Sequence, residues 1–327
     1  MSDPARLARD AAALAMSEVT ARAIPRLPPS WRMASARALG TLRAAVSRGA
    51  RRLVVEELER CFGPSVARDP EVLRRTFANI WLDGVEPHLF PHLGPDNIDQ
   101  WVQLVGEEHL RAALARGKGA LLFIGHFGLN TLTMAALGHR GYRINQLSAP
   151  PTVWKDILGD QQINRFAQAR AERTWNNEQT LPAQHISVFG FLRPAFQALK
   201  RNEILCVAID GGGGQRFAEV RFLGRPCNVS TGPASLARRT GAAVLPAVVL
   251  RRDDGTHSVI IEPALEVPRT SDREADEKEI TQRFMDLLAS WAERYPDHYA
   301  GFLRLRRNTA ATDTEPFFAD YAAGDGS

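Results

Sequence analysis

Cysteine is scarce in this 327-residue chain: Cys61, Cys206 and Cys227 are too scattered for a disulfide framework and lack the Cys-x-x-Cys or Cys/His spacing of a zinc site. Reduced thiols in a cytoplasmic setting are therefore expected. No run of about eighteen apolar residues occurs, so no transmembrane helix is expected. The first residues include Asp3 and Asp10 and no continuous apolar stretch, which does not read as a signal peptide. Acidic residues are missing from another region. Between Val19 and Val55 stand eight arginines (Arg22, Arg26, Arg32, Arg37, Arg43, Arg48, Arg51 and Arg52) and no Asp or Glu. The overall charge of +4 hides this asymmetry, because acidic residues gather late, from Asp272 to Glu279 and in the tail.

A basic stretch of this kind suits an anionic membrane surface, an acidic carrier protein, or simply a solvated helix face. Nucleic acid is not an expected partner, since no binding module is present and aromatic residues are not interleaved with the arginines. Any membrane contact is expected to be peripheral, on the inner face of the plasma membrane.

What the chain does have is a globular balance, with 44% apolar and 24% charged residues. The first sixty residues read as helix, broken at Pro25–Pro29, and a second helical block runs from Pro70 to about Val85. The pattern changes at Gly119. Ala120–Ile124, Ile204–Ile209 and Ala243–Leu250 are short continuous apolar runs, as expected of strands buried on both faces of a parallel sheet. Helical patterns separate them, at Pro194–Lys200 and Gly232–Thr240, and a long amphipathic helix is expected from about Ala275 to Arg294. His257–Glu262 reads as an edge strand after the Asp253-Asp254-Gly255 turn. The expected fold class is α/β, a central, mostly parallel sheet flanked by helices with a helical N-terminal portion. Residues 1–104 are read as that portion, 105–307 as the α/β core, and 308–327 as a disordered tail.

Sites in such sheets form beyond the carboxyl ends of the strands. Three segments lie there: Gly125-His126-Phe127-Gly128-Leu129-Asn130-Thr131, then Asp210 with Gly211–Gly214, then Arg251-Arg252. His126 ends a buried run, has glycines on both sides and precedes an expected helix start, whose free N–H groups could hold an anion or oxyanion. Gly211–Gly214 lacks the Lys-Ser/Thr of a P-loop and reads as a plain loop. Arg251 and Arg252 are candidates for holding a phosphate of coenzyme A, phosphopantetheine or a lipid. No Gly-x-Ser-x-Gly elbow supports a serine hydrolase.

The stretch from Val105 to Gly128, ending Leu-Leu-Phe-Ile-Gly-His-Phe-Gly, resembles the signature region of the lipid A biosynthesis (lauroyl/myristoyl-type) acyltransferases. Leu53–Phe62, Leu199–Asp210, Arg221–Pro226, Thr231–Ala237 and Thr240–Pro246 resemble further blocks of that family in the same order. The resemblance spans roughly residues 35–305. It implies transfer of a fatty acyl group from an acyl-carrier-protein or acyl-CoA thioester to a hydroxyl of a lipid or glycolipid, with no tightly bound cofactor and no metal. An amine or a natural-product hydroxyl is an open alternative acceptor. His126 would be the general base. Gly125, Phe127, Gly128, Asn130, Arg165, Gly211, Arg251 and Arg252 are the positions expected to contact substrate.

The family motif places an Asp or Glu five residues after the His; here that position is Thr131. Asp210 is the best substitute carboxylate, with Thr131 a neutral alternative partner. The sequence also admits an acceptor that needs a weaker base, a binding-only homologue, or a thioesterase-like enzyme.

Overall fold

The computed structural model describes residues 4–150, 164–188, 190, 192–310 and 315–321. Helices dominate the first hundred residues. α1 (Pro4–Ala23) and α2 (Pro29–Val46) are separated by a proline-bearing 3-10 turn, Ile24–Arg26. α3 (Arg48–Phe62), a short α4 (Pro64–Arg68) and α5 (Pro70–Val85) follow. Asp69 caps α5 by accepting the Glu71 N–H at 2.8 Å, and Pro70 fills the first-turn position where its missing N–H costs nothing. α2 lies against α5 at close range: a Cβ on Gly40 would stand 2.6 Å from the Ala78 backbone nitrogen. After a 3-10 segment, Glu86–His92, and a single turn α6 (Ile98–Trp101), the chain enters its sheet.

Seven strands form that sheet: β1 (Val102–Val105), β2 (Ala120–Ile124), β3 (Ile144–Ser148), β4 (Ala183–Ser187), β5 (Ile204–Ala208), β8 (Ala243–Arg251) and β9 (His257–Ile261). Their spatial order is β1-β9-β8-β2-β5-β3-β4. All neighbours are parallel except β8 and β9, so β1 and β9 run against the other five. β6 (Phe217–Phe222) and β7 (Arg225–Ser230) form a separate antiparallel hairpin. The interleaved helices are α7 (Glu107–Ala115), α8 (Leu132–Gly138), α9 (Arg165–Glu178), α10 (Arg193–Lys200), α11 (Gly232–Thr240), α12 (Arg273–Arg294) and α13 (Ala300–Thr309).

β2 shows why its run is apolar throughout. Alternate side chains of a strand point to opposite faces; Leu121 and Phe123 join one core with Phe284 and Leu288 of α12, while Ala120, Leu122 and Ile124 join another with Leu110 of α7 and Met134 of α8. Both faces are covered by helices, and no polar position survives.

Two expectations are corrected. His257–Ile261 is not an edge strand, because β1 adds to its outer side in parallel, Val102 opposite His257. Residues 315–321, within the expected disordered tail, are packed: Phe317 and Phe318 are fully buried, and Phe317 accepts the Asn228 N–H at 2.8 Å. Helix α13 also runs on to Thr309.

Candidate active site

The parallel register of β2 and β5 brings the first two candidate residues together. Ile124 pairs with Ala208, and Ile209 continues the ladder by donating its N–H to the Ile124 carbonyl at 2.9 Å. Two residues beyond the end of each strand, His126 stands opposite Asp210. Asp210 Oδ1 lies 2.6 Å from His126 Nδ1, and Oδ2 accepts the His126 backbone N–H at 2.7 Å. Tyr299, just before α13, donates its hydroxyl to the same Oδ2 at 2.8 Å.

The two partners differ in exposure. The Asp210 side chain is 0% exposed and that of His126 39%. Burial pushes the Asp210 carboxyl upward, but the facing imidazole and the three hydrogen bonds hold it below the ordinary aspartate range. An ionised Asp210 requires Nδ1 to carry the proton, which leaves Nε2 as the acceptor nitrogen of a neutral imidazole. Phe302 of α13 stacks on the His126 ring, centroids 4.3 Å apart and planes 3° from parallel, and so fixes its orientation.

Gly125 is demanded by this arrangement. A Cβ there would meet the Leu288 methyls at 2.8 Å and Asp210 Oδ2 at 3.2 Å. Gly128 has φ +61°, and a Cβ would lie 2.1 Å from the Val249 carbonyl oxygen, so the loop can pass β8 only as glycine.

His126 opens on a cavity of about 710 Å³. Its lining includes Leu147, Val188, Phe196, Val207 and Ile209, the Gly211–Gly214 loop, and residues of α11. Gly211 therefore sits where the sequence places it, and a Cβ on it would be 3.8 Å from His126 Cε1.

The other sequence candidates lie elsewhere. Thr131 does not reach His126: Nδ1 is occupied by Asp210, and the buried Thr131 hydroxyl has no hydrogen-bond partner among the described residues. Phe127 is core, stacked on His298 at 5.2 Å and edge-on to Trp291. Asn130 serves the loop, its N–H on the Gly128 carbonyl and its carbonyl accepting the Thr133 N–H. The anion-binding helix start is also corrected. α8 begins only at Leu132, and the N–H groups of His126, Gly128 and Asn130 are already bonded.

Arg251 is no phosphate ligand. It is buried, bonded to Glu86 Oε2 at 2.6 Å, Asp83 Oδ1 at 2.8 Å and Asn79 Oδ1 at 2.8 Å. Arg252 bonds Gln103 at 2.7 Å, away from the cavity lining. Arg165, in the first turn of α9, is exposed with its guanidinium over Phe166 and does not line the cavity.

Several residues of the site escaped sequence reading. Tyr299 and Phe302 come from a helical segment whose apolar pattern looks like core. Glu178, ending α9, is largely buried, and that burial pushes its carboxyl up to about 7. Its Oε1 lies 4.0 Å from His185 Nδ1, which is 2.9 Å from the Ser148 hydroxyl. Arg216 and Arg239 line the cavity and had no local signal beyond charge. Among the described residues, no group of three or more His, Cys, Asp or Glu is arranged to hold a metal ion.

The family model described as bacterial lipid A biosynthesis acyltransferase matches residues 13–307. The chain belongs to this family. It is similar to a phosphatidylinositol mannoside acyltransferase of Mycobacterium tuberculosis, 30% identical over 145 residues that cover 43% of this chain and 42% of the relative. The match thus spans less than half the length of that relative. A phosphatidylinositol mannoside acyltransferase of Mycolicibacterium smegmatis is 24% identical over 279 residues, 81% of this chain and 85% of the relative. A lipid A biosynthesis lauroyltransferase of Escherichia coli is 25% identical over 226 residues, 66% of this chain and 67% of the relative.

Proposed function

We propose that the protein transfers a fatty acyl group from a carrier-protein or coenzyme A thioester to a hydroxyl of a lipid or glycolipid acceptor, with His126 as general base and Asp210 as its carboxylate partner. The observation that carries this reading is the His126–Asp210 pair, 2.6 Å between Nδ1 and Oδ1, at the edge of a cavity of about 710 Å³.

The chemistry follows from the tautomer. Nε2 takes the acceptor hydroxyl proton as the oxygen attacks the thioester carbonyl carbon. Asp210 stabilises the imidazolium so formed, as the carboxylate of a serine-protease triad does. Collapse of the tetrahedral intermediate breaks the C–S bond, and the imidazolium returns its proton to the departing thiolate. Tyr299 keeps the Asp210 carboxylate aligned.

Among the described residues no helix is long and apolar enough to cross a membrane. One face of α2 nevertheless exposes Trp31, Leu39, Leu42 and Val46, positions that fall together on a helical wheel. Exposed Arg43, Arg48, Arg51 and Arg52 lie beside or just beyond it. These features support peripheral docking on an anionic membrane, where a lipid acceptor resides.

The test is to incubate purified protein with acyl-CoA or acyl-carrier-protein donors and glycolipid acceptors, comparing wild type with His126→Ala. Acylated acceptor formed by wild type alone is the expected result. Equal formation by both proteins contradicts the general-base role, and free fatty acid as the sole product favours hydrolysis instead.

A further inference from the structure

Two cations of the cavity have no task in the chemistry above. Arg216, on the loop between β5 and β6, and Arg239, in the last turn of α11, both line it. None of the cavity's described lining residues is Asp or Glu, so these arginines and His126 are the only charged or titratable side chains among them. Asp210 is screened from it by burial behind His126.

The Arg216 Nη2 atom lies 3.3 Å from Ser235 Oγ, and Ser235 stands one turn before Arg239 on α11, so both cations meet the cavity on the same face of that helix. Arg216 is steadied by Glu277 Oε2 at 3.4 Å and Ser235 Oγ at 3.3 Å, yet its side chain stays 60% exposed. The Arg239 guanidinium rests on the Phe196 ring 4.8 Å away, and no carboxylate pairs with it among the described residues. The first turn of α11 also faces the cavity through Gly232, Pro233 and Ser235, with no acidic residue. The helix dipole adds to the positive field there.

Between His126 and this cationic edge runs Gly211–Gly214. No side chains project from these four residues, and Gly214, at φ +151°, passes so close to Ser230 that a Cβ would lie 2.3 Å from its hydroxyl oxygen. Bare backbone between His126 and Arg216 leaves room for a thin, flexible, amide-bearing chain ending in a phosphate, and offers it peptide groups to bond.

We propose that Arg216 and Arg239 bind the phosphate of a phosphopantetheine-type arm on the thioester donor, with the arm laid along the glycine loop and its acyl carbonyl at His126. The proposal rests on the acyl-transfer reading and names its donor subsite. Guanidinium is suited to the task because it meets phosphate oxygens with paired, charge-assisted hydrogen bonds.

The experiment compares acyl-CoA, acyl-carrier protein and acyl-pantetheine, which lacks the phosphate, in wild type, Arg239→Gln and Arg216→Gln. Calorimetric binding of coenzyme A and free phosphopantetheine is measured alongside. Each substitution is expected to raise KM for the phosphate-bearing donors about ten- to a hundredfold, the range for one lost charged hydrogen bond. The penalty should vanish with acyl-pantetheine, and Arg239→Lys should recover part of it. Effects on acyl-CoA and acyl-carrier protein together assign the shared phosphate; a loss confined to acyl-CoA assigns the cations to its nucleotide phosphates and overturns the proposal. Equal loss with and without phosphate overturns it, as does a rise in acceptor KM alone, which would give the cations to the acceptor lipid. Wild type that fails to bind coenzyme A and phosphopantetheine also overturns it. Wild type that binds them through these arginines but acylates nothing would support the subsite while contradicting acyl transfer.

Discussion

A neutral imidazole donates through one nitrogen and accepts through the other, so the group at Nδ1 decides what Nε2 can do. At His126 that group is Asp210, brought in by strand register from 84 residues away. Thr131, at the motif position, contributes only a buried hydroxyl without a partner among the described residues, which costs free energy rather than adding it. Thr131→Val is therefore expected to keep kcat within about twofold and to leave stability unchanged or slightly raised. A tenfold fall in kcat, measured on folded protein, would restore Thr131 to the mechanism. Glu178 carries a second residue-scale prediction. Its carboxyl titrates at about 7 in the fold because burial disfavours the charge, against an ordinary value of 4.5. The folded state binds more protons across that window, so stability falls as pH rises from about 4.5 to 7. At about 1.4 kcal/mol per pH unit the loss reaches at most about 3 kcal/mol. Glu178→Gln should match wild type near pH 4.5 and exceed it above pH 7 in denaturant unfolding. A difference independent of pH would contradict the assignment.

At the scale of elements, the buried guanidinium at the end of β8 ties the N-terminal helices to the sheet. Arg251 reaches Asn79 and Asp83 on α5 and Glu86 just after it, while His257 of β9 lies 3.3 Å from the same Glu86 carboxylate. Burial would raise the Glu86 carboxyl, but Arg251 and His257 hold it well below the usual range. Removing the cation strands that charge. Arg251→Met should lose about 3–5 kcal/mol of unfolding free energy, with donor KM unchanged in the folded fraction; a raised KM at full stability would contradict this. The elements themselves were unequally legible. β2, β5 and β8 stand out because burial on both faces leaves unbroken apolar runs. β1, β3 and β4 do not, since Gln103, Asn145, Gln146 and His185 interrupt them with polar groups that find partners or solvent at the sheet margins. Without β1 in view, β9 looks like an edge.

For the whole molecule, the positions of His126 and Asp210 could be read from the sequence because strand ends in an α/β sheet mark where chemistry can gather. Asp210 could also be named as the best substitute carboxylate, but the contact itself depends on β2 and β5 being neighbours in register, which no local pattern states. Tyr299 and Phe302 were hidden, because their segment reads as core until the C-terminal helix is seen against the loop of His126. The same long-range closure explains Phe317 and Phe318, whose small polar surroundings suggest disorder although both rings fill the space beside Phe222. The molecule thus closes its C-terminal segment over the sheet and leaves His126 at the border between packed protein and open cavity. The claim at the centre of this account is that Asp210 has taken the place of the missing motif carboxylate. The most direct measurement is kcat for Asp210→Asn, a substitution that preserves shape while removing the charge. The account predicts a fall of about 10³- to 10⁴-fold, as in the comparable triad substitution, with unfolding still cooperative. A folded Asp210→Asn variant within tenfold of wild-type kcat would contradict it.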